Sequence, residues 1–205
     1  VALLKTNNVN PLSLTVETVQ ITDKNIIEEA LAAYELLSID AKATLTTEKT
    51  LLDSLIVEIE RQEAVIAEIT FYMLDNELIL ALTVDTVQVK DRSYVEVALA
   101  AYHNLSIDAK ARLNTEIALL DRLLVEISRI EAIASEIALY KTNNAYSLAL
   151  TTETVQVSDK SNVELALAVY DNLSFDAKAG LTNEKALLDS LFVEIQRLEA
   201  VMSEI

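Results

Sequence analysis

The sequence predicts an all-α fold: three tandem helical-bundle repeats of 68 residues forming an elongated array. Three observations carry this expectation. The 205-residue chain holds a single glycine and a single proline, whereas sheets and loop-rich folds use both for turns. Apolar residues recur at helical spacing over long stretches. Phrases also repeat at one fixed offset. Tyr34, Tyr102 and Tyr170 close similar Ala-Leu-Ala runs 68 residues apart, and Asp40-Ala-Lys-Ala43 returns as Asp108–Ala111 and Asp176–Ala179. Thr18-Val-Gln-Ile21 likewise returns at Thr86–Val89 and Thr154–Val157. A shared offset across several phrases is the signature of a repeat architecture.

The repeat sets the expected organisation. Residues 1–6 read as the end of a preceding repeat, 7–74 as repeat one, 75–142 as repeat two and 143–205 as a truncated repeat three. Val1, Ile69, Ile137 and Ile205 share one register, late in the longest expected helix. The chain opens without Met and without a signal-peptide layout, and it is read as a stretch of a longer array.

Each copy is expected to hold a medium helix, from about 23 to 37 in copy one, with Thr22 or Asp23 as its cap and Ile27, Ala30, Leu31, Tyr34 and Leu37 as its buried stripe. Copies two and three offer Asp91 and Ser158-Asp159 for the cap. Ser38 then caps a helix of two turns, with Asp40 at its positive end. Ile39, Ile107 and Phe175 are expected to anchor that helix to the core. A long helix opens at Thr46 or Thr47, with Glu48 in its first turn. Its stripe of Leu52, Leu55, Ile59, Gln62, Ile66 and Ile69 alternates by three and four, as a bundle seam does. The matching stripe of copy three ends at Leu198, Met202 and Ile205. At roughly 25 residues such a helix is about 38 Å long.

The stretch from Asn8 to Ile21 is open to two readings. Asn7-Asn8, Asp75-Asn76 and Asn143-Asn144 read as breaks followed by a helix cap, and Pro11 suits a first helical position. A short helix ending in an extended Thr-Val-Gln-Ile run follows from this. Leu12, Leu14 and Val16, however, alternate as a strand does.

No Gly-, Pro- or Ser-rich linker separates the copies, so the long helix is expected to pass Ile69 and Ile137 unbroken. Repeat-junction contacts are assigned to Ile69, Phe71, Tyr72, Met73, Ile137 and Tyr140. Neighbouring repeats of the array are thus the first expected partners.

Chemistry-bearing groups are sparse. The formal charge of −17, from 33 acidic and 16 basic residues, disfavours nucleic acid and anionic lipid as partners. Self-repulsion of that size also leads to an expectation that moderate acid stabilises the array or makes it self-associate, provided few carboxylates gain from native partners. Cysteine is absent and His103 is the only histidine, so neither a thiolate site nor a histidine-rich metal site is expected. Acids such as Glu28, Glu29, Glu58, Glu60 and Glu63 lie at ordinary helix-surface spacing, with no Gly-rich loop to build a cleft around them. No Asp-x-Asp-x-Asp-Gly calcium loop occurs, and the Asn7-Asn8 type turns hold few carboxylates. Asn104-Leu-Ser106 and Asn172-Leu-Ser174 match a glycosylation pattern that reads as accidental. Tyr34, Tyr102 and Tyr170 read as core residues with a hydroxyl at the edge. The expectation is a non-enzyme with no cofactor, no metal and no membrane insertion in this segment.

The run from Thr154 through Asp159-Lys160 to Tyr170, followed by Asp176-Ala-Lys-Ala179, resembles a helical repeat of large extracellular proteins of Gram-positive bacteria. The resemblance extends over all three copies, with Asp91-Arg92 standing for the Asp-Lys pair in copy two. It implies tandem spacer or binding modules at the cell surface and transfers no catalytic residue. The reading is therefore a non-catalytic stalk or spacer of a bacterial surface protein. Three alternatives stay open: an adhesin-type module binding a host protein or glycan, hinted at by Phe71, Tyr72 and Tyr94; a subunit of an end-to-end filament; and a designed repeat scaffold.

Overall fold

The computed structural model describes residues 2–204, apart from the side chain of Leu3. Expectations placed on Val1 and Ile205 lie outside the described residues. Every regular element among the described residues is helical. α1 (Ala2–Asn7) covers the stretch read as the end of a preceding repeat, and the first copy then runs α2 (Val9–Leu12), a 3-10 turn (Ile21–Asp23), α3 (Lys24–Glu35), α4 (Ile39–Ala43) and α5 (Thr46–Asp75). The second gives α6 (Glu77–Leu80), a 3-10 turn (Val89–Asp91), α7 (Arg92–Asn104), α8 (Ile107–Arg112) and α9 (Asn114–Asn143). The third gives α10 (Ala145–Ala149), a 3-10 turn (Val157–Asp159), α11 (Lys160–Asp171), α12 (Phe175–Ala179) and α13 (Thr182–Ser203).

The chain forms two compact units. One comprises the residues up to Ala81 with Glu96–Leu120; the other comprises Leu82–Val95 with the residues from Asp121 onward.

In the first unit α3 packs on α5, and α2 lies against both. Val19, Ile27, Ala30, Leu52, Leu55 and Ile59 form its main cluster, with Leu12, Leu14, Leu31, Leu51 and Ile56 around it. A second cluster joins Leu4, Tyr34 and Leu45. Burial of a Leu or Ile side chain in such a cluster stabilises by about 1.5–3 kcal/mol relative to exposure. In the second unit α11 packs on α13. Val155, Val163, Ala166, Leu181, Leu188, Leu191 and Ile195 are buried there together with Tyr140.

The caps depart from expectation in an informative way. Asp23 does not cap α3. Its Oδ2 accepts from the backbone N–H of Gln20 at 2.9 Å, and so fixes the 3-10 turn that precedes the helix. Asp91 and Asp159 do the same for Gln88 and Gln156. Asn76 closes the helix before it and gives no side-chain cap to the helix after it: its Nδ2 donates to the Tyr72 carbonyl at 2.8 Å, and its N–H donates to the same oxygen. Asn8 and Asn144 repeat this on Leu4 and Tyr140. The amide thus occupies an orphan carbonyl at the helix C-terminus, where chain continuation stops. Pro11 is the third residue of α2, not the first. It is still within the turn whose N–H groups have no intrahelical partner, so no bond is lost.

Between α2 and α3 no strand forms among the described residues. Thr18 Oγ1 accepts from the Thr15 N–H at 3.0 Å, and Val19 N–H donates to the Thr15 carbonyl at 2.9 Å. This closed turn swings Val19 into the core, and it recurs at Thr83–Val87 and Thr151–Val155. Only then does Gln20 extend, at φ −119 and ψ 159. Local Thr-to-backbone bonding outcompetes strand formation where no partner strand is present.

Ser38, Ser106 and Ser174 cap their helices as expected, each Oγ accepting from the N–H three residues on. The expected apolar anchors do not form: Ile39, Ile107 and Phe175 are 84%, 85% and 86% exposed. Each is the first residue of a one- to two-turn helix. The small Ala109 and Ala177 fill the inward position instead. The long helices α5 and α9 run 30 residues each, about 45 Å. They exceed the expected length because they continue through Ile69 and Ile137 to the Asn brakes.

Candidate functional site

A feature built in both units is the seat that the tail of a long helix makes on the next copy. In the first unit, the α5 tail meets the start of α8. Glu68 Oε1 accepts from the Ser106 N–H at 2.9 Å and Oε2 accepts from Ser106 Oγ at 2.5 Å. Ser106 Oγ in turn accepts from the Ala109 N–H. The carboxylate therefore satisfies the orphan donor of a helix cap and sits at the positive end of α8. Bonds from the Ser106 hydroxyl and N–H hold the Glu68 carboxyl below its usual range. About two turns earlier, Arg61 pairs with Asp108 through Nη1, while its Nε and Nη2 bind Glu58 at 2.8 and 2.6 Å. That forked contact, with help from Gln62, pulls the Glu58 carboxyl down to about 2.

The second unit rebuilds the seat from the α9 tail and α12. Glu136 accepts from Ser174 N–H at 2.8 Å and from its Oγ at 2.5 Å. Arg129 binds Asp176 through Nη1 at 2.5 Å and Glu126 through Nε and Nη2. Ser174 holds the Glu136 carboxyl low, and Arg129 does the same for Glu126.

An aromatic pair lies beneath each polar rim. Tyr72 meets Tyr102 edge-on, with centroids 6.3 Å apart, and Tyr140 meets Tyr170 at 6.2 Å. Edge-to-face rings at this spacing attract beyond their area burial. Leu4 holds the same register one period earlier, ahead of copy one, and packs with Tyr34 and Leu45. Tyr34, Tyr102 and Tyr170 donate their hydroxyls to the carbonyls of Lys42, Lys110 and Lys178.

Of the residues assigned to repeat junctions, Tyr72 and Tyr140 are buried, at 4% and 2% exposure. Ile69 and Ile137 are half-buried, and Ile137 Cδ1 lies over Gly180, 2.7 Å from where a Cβ would stand. Phe71 and Met73 are exposed, at 66% and 37%. The reason is helical phase: 69, 72 and 76 step by three and four onto one face, whereas 71 and 73 flank it. His103 and Tyr94 are exposed as well.

Sequence reasoning missed the Glu–Ser and Arg–Asp pairs. The available signal was identity between copies: Arg61, Arg129 and Arg197; Glu68, Glu136 and Glu204; Ser38, Ser106 and Ser174; Asp40, Asp108 and Asp176. Exposed polar positions kept through divergent copies mark contacts.

The two tyrosines differ in one respect. Tyr140 donates its hydroxyl to the Ala166 carbonyl at 3.2 Å. The hydroxyl of Tyr72 is buried and has no hydrogen-bond partner. An unsatisfied buried hydroxyl is costly, whereas a satisfied one contributes. Tyr72→Phe is therefore expected to be neutral or to stabilise by about 1 kcal/mol, and Tyr140→Phe to destabilise by about 1 kcal/mol. Urea melts of the two variants check this, and equal losses in both would refute the distinction.

No other constellation stands out. Among the described residues no group of three or more His, Asp or Glu side chains gathers as metal ligands. Among them, too, no helix is long and apolar enough to cross a membrane. An open crevice is lined by Lys5, Leu12, Glu48 and Leu51, and its counterpart by Lys141, Leu148, Glu184 and Leu187. Each is closed at one side by a lysine–glutamate pair at 2.5 Å. Comparison with known proteins finds no matching family model, no matching curated protein and no matching solved structure.

Proposed function

We propose that the chain is a non-catalytic structural segment, a stalk or spacer within a bacterial surface protein, in which successive copies dock on one another without a linker. The observation that carries this reading is the seat described above. A single uninterrupted helix gives Leu52, Leu55 and Ile59 to one hydrophobic cluster and Glu68 and Tyr72 to the contact with the next copy. Such nearest-neighbour coupling suits an array whose task is to hold distance. The resemblance to extracellular helical repeats supports the cell-surface placement. An acidic, cysteine-free composition is compatible with it.

Small-angle scattering tests the mechanical part. A stiff spacer gives a maximum dimension that does not change between low and physiological salt. Scattering of a flexible chain of independent globules would remove the reading. An adhesin-type module is the second reading, favoured by the exposed apolar side chains of Ile39, Ile107 and Phe175 at equivalent positions. Retention of the chain on a host-protein or glycan array, abolished by Phe175→Ser, would favour it over the spacer.

A further inference from the structure

We propose that the junction of copies one and two carries a crevice for a lysine side chain of a partner protein, with Glu116 as its counterion and Met73, Leu80 and Leu119 as its walls. The inference goes beyond the spacer reading and does not rest on it.

The two sister crevices show what such a site holds. In one, Lys5 and Glu48 meet at 2.5 Å beside Leu12 and Leu51; in the other, Lys141 and Glu184 meet at 2.5 Å beside Leu148 and Leu187. Both carboxylate side chains are well covered, at 19% and 22% exposure. Each lysine holds its carboxyl below the usual range. In the register midway between them the carboxylate and the leucines remain, as Glu116, Leu80 and Leu119, all half-buried like their equivalents. The lysine does not remain: Met73 stands in its place, 37% exposed. Among the described residues no cation pairs with Glu116. Glu77 also replaces Val9, a wall of the first crevice, so this register holds two carboxylates and no cation.

The Tyr72 hydroxyl is a second observation, independent of the charge pattern. Tyr72 precedes Met73 on α5 and is 4% exposed. Its hydroxyl is buried without a hydrogen-bond partner, whereas that of the equivalent Tyr140 donates to Ala166. Burial pushes the Tyr72 phenol above its usual range, and the Glu116 charge acts in the same direction. The hydroxyl thus lies within the field of the unpaired carboxylate. A carboxylate against apolar walls and a buried hydroxyl oxygen both call for N–H donors, and an ammonium brings three.

The occupant is a lysine because stem and head both match. An alkyl stem covers apolar surface while the compact ammonium reaches the acid. Lys5 and Lys141 fill their crevices in this way. The net charge of −17 also draws a basic partner towards the site.

Titration of the full 205-residue chain with Nα-acetyl-lysine methylamide tests the proposal, read by NMR from the Leu80 and Leu119 methyl signals. A saturable shift is expected, with a dissociation constant on the order of 1 mM. Glu116→Gln should weaken it by about tenfold or more. Met73→Lys should abolish it, because the chain then supplies its own cation. Lysine already stands at the equivalent positions 5 and 141, so this variant is expected to fold, and circular dichroism checks both. The norleucine analogue, which keeps the stem and lacks the charge, should not bind. No shift at about 100 mM overturns the proposal. So does a shift that both variants leave unchanged, or equal binding of the norleucine analogue. Binding of n-butylamine without binding of the lysine derivative would assign the crevice to free amines and overturn the protein partner. None of these outcomes alters the scattering profile on which the spacer reading depends.

Discussion

Tyr140→Ala is expected to lower the stability of the second unit by about 3–5 kcal/mol, the range for removing a large buried ring. Tyr140 belongs by sequence to copy two, yet it is 2% exposed within the cluster formed by Val163, Ala166, Leu188 and Leu191 of copy three. Three losses combine: the ring's burial, its edge contact with Tyr170, and its hydroxyl bond to Ala166. The cavity also opens beside Ile137, which is only half-buried and cannot fill it without leaving Gly180. Leu139→Ala, one position away and 61% exposed, is the control and should cost well under 1 kcal/mol. Chemical denaturation followed by circular dichroism separates the two. Equal small effects would mean that the α9 tail is not part of the copy-three core.

The second large effect is acid denaturation. Glu58 is drawn down to about 2 by Arg61 and Gln62, and Glu68, Glu126, Glu136, Glu184 and Glu194 are all held below their ordinary value by hydrogen-bonded partners. A carboxyl with a depressed folded-state value contributes stability that is fully present above its unfolded value, and loses it as pH falls through the folded one. These groups therefore leave stability unchanged between pH 7 and pH 5 and remove it from the ordinary glutamate value of 4.5 down towards 2. The sequence-based expectation that moderate acid stabilises the chain depended on few carboxylates having native partners. Here the partners are systematic, so that condition is not met, and loss of stability is expected below the ordinary glutamate value. Urea midpoints should agree at pH 7 and pH 5 and fall clearly by pH 3. A midpoint that climbs steadily down to pH 3 would show that relief of self-repulsion dominates.

Much of the fold was legible because it is written in periodicity. Ile27, Ala30 and Tyr34 announce α3, and Leu52, Leu55 and Ile59 announce α5, by spacing alone. Ser38 announces α4 by its capping chemistry. What was not legible depends on choices between nearby partners. Asp23 has two N-termini within reach, the 3-10 turn and α3, and geometry selects the first. Asn76 is a good residue on either side of a helix break, and it serves the carbonyl behind it. Ile39 is apolar and sits beside a cap, but a five-residue helix has one inward position and Ala41 takes its direction. The candidate site was half visible. The tyrosines follow from the apolar stripe, whereas Glu68 and Arg61 are ordinary helix-surface residues until a partner 38 or 47 residues along the chain is brought against them.

The 30-residue span of α5 also acts as a phase lock. Ile59 points into one cluster and Glu68 onto the next copy, so the helix fixes the angle between two separate fits. One inserted residue between them turns the second fit by about 100° relative to the first and shifts it by about 1.5 Å. Neither α3 nor α8 is able to follow such a rotation while remaining packed. Gain or loss of whole 68-residue periods preserves both angles, wherever in the period the break occurs. A gene encoding such a helix tolerates changes in copy number far better than single-residue slippage.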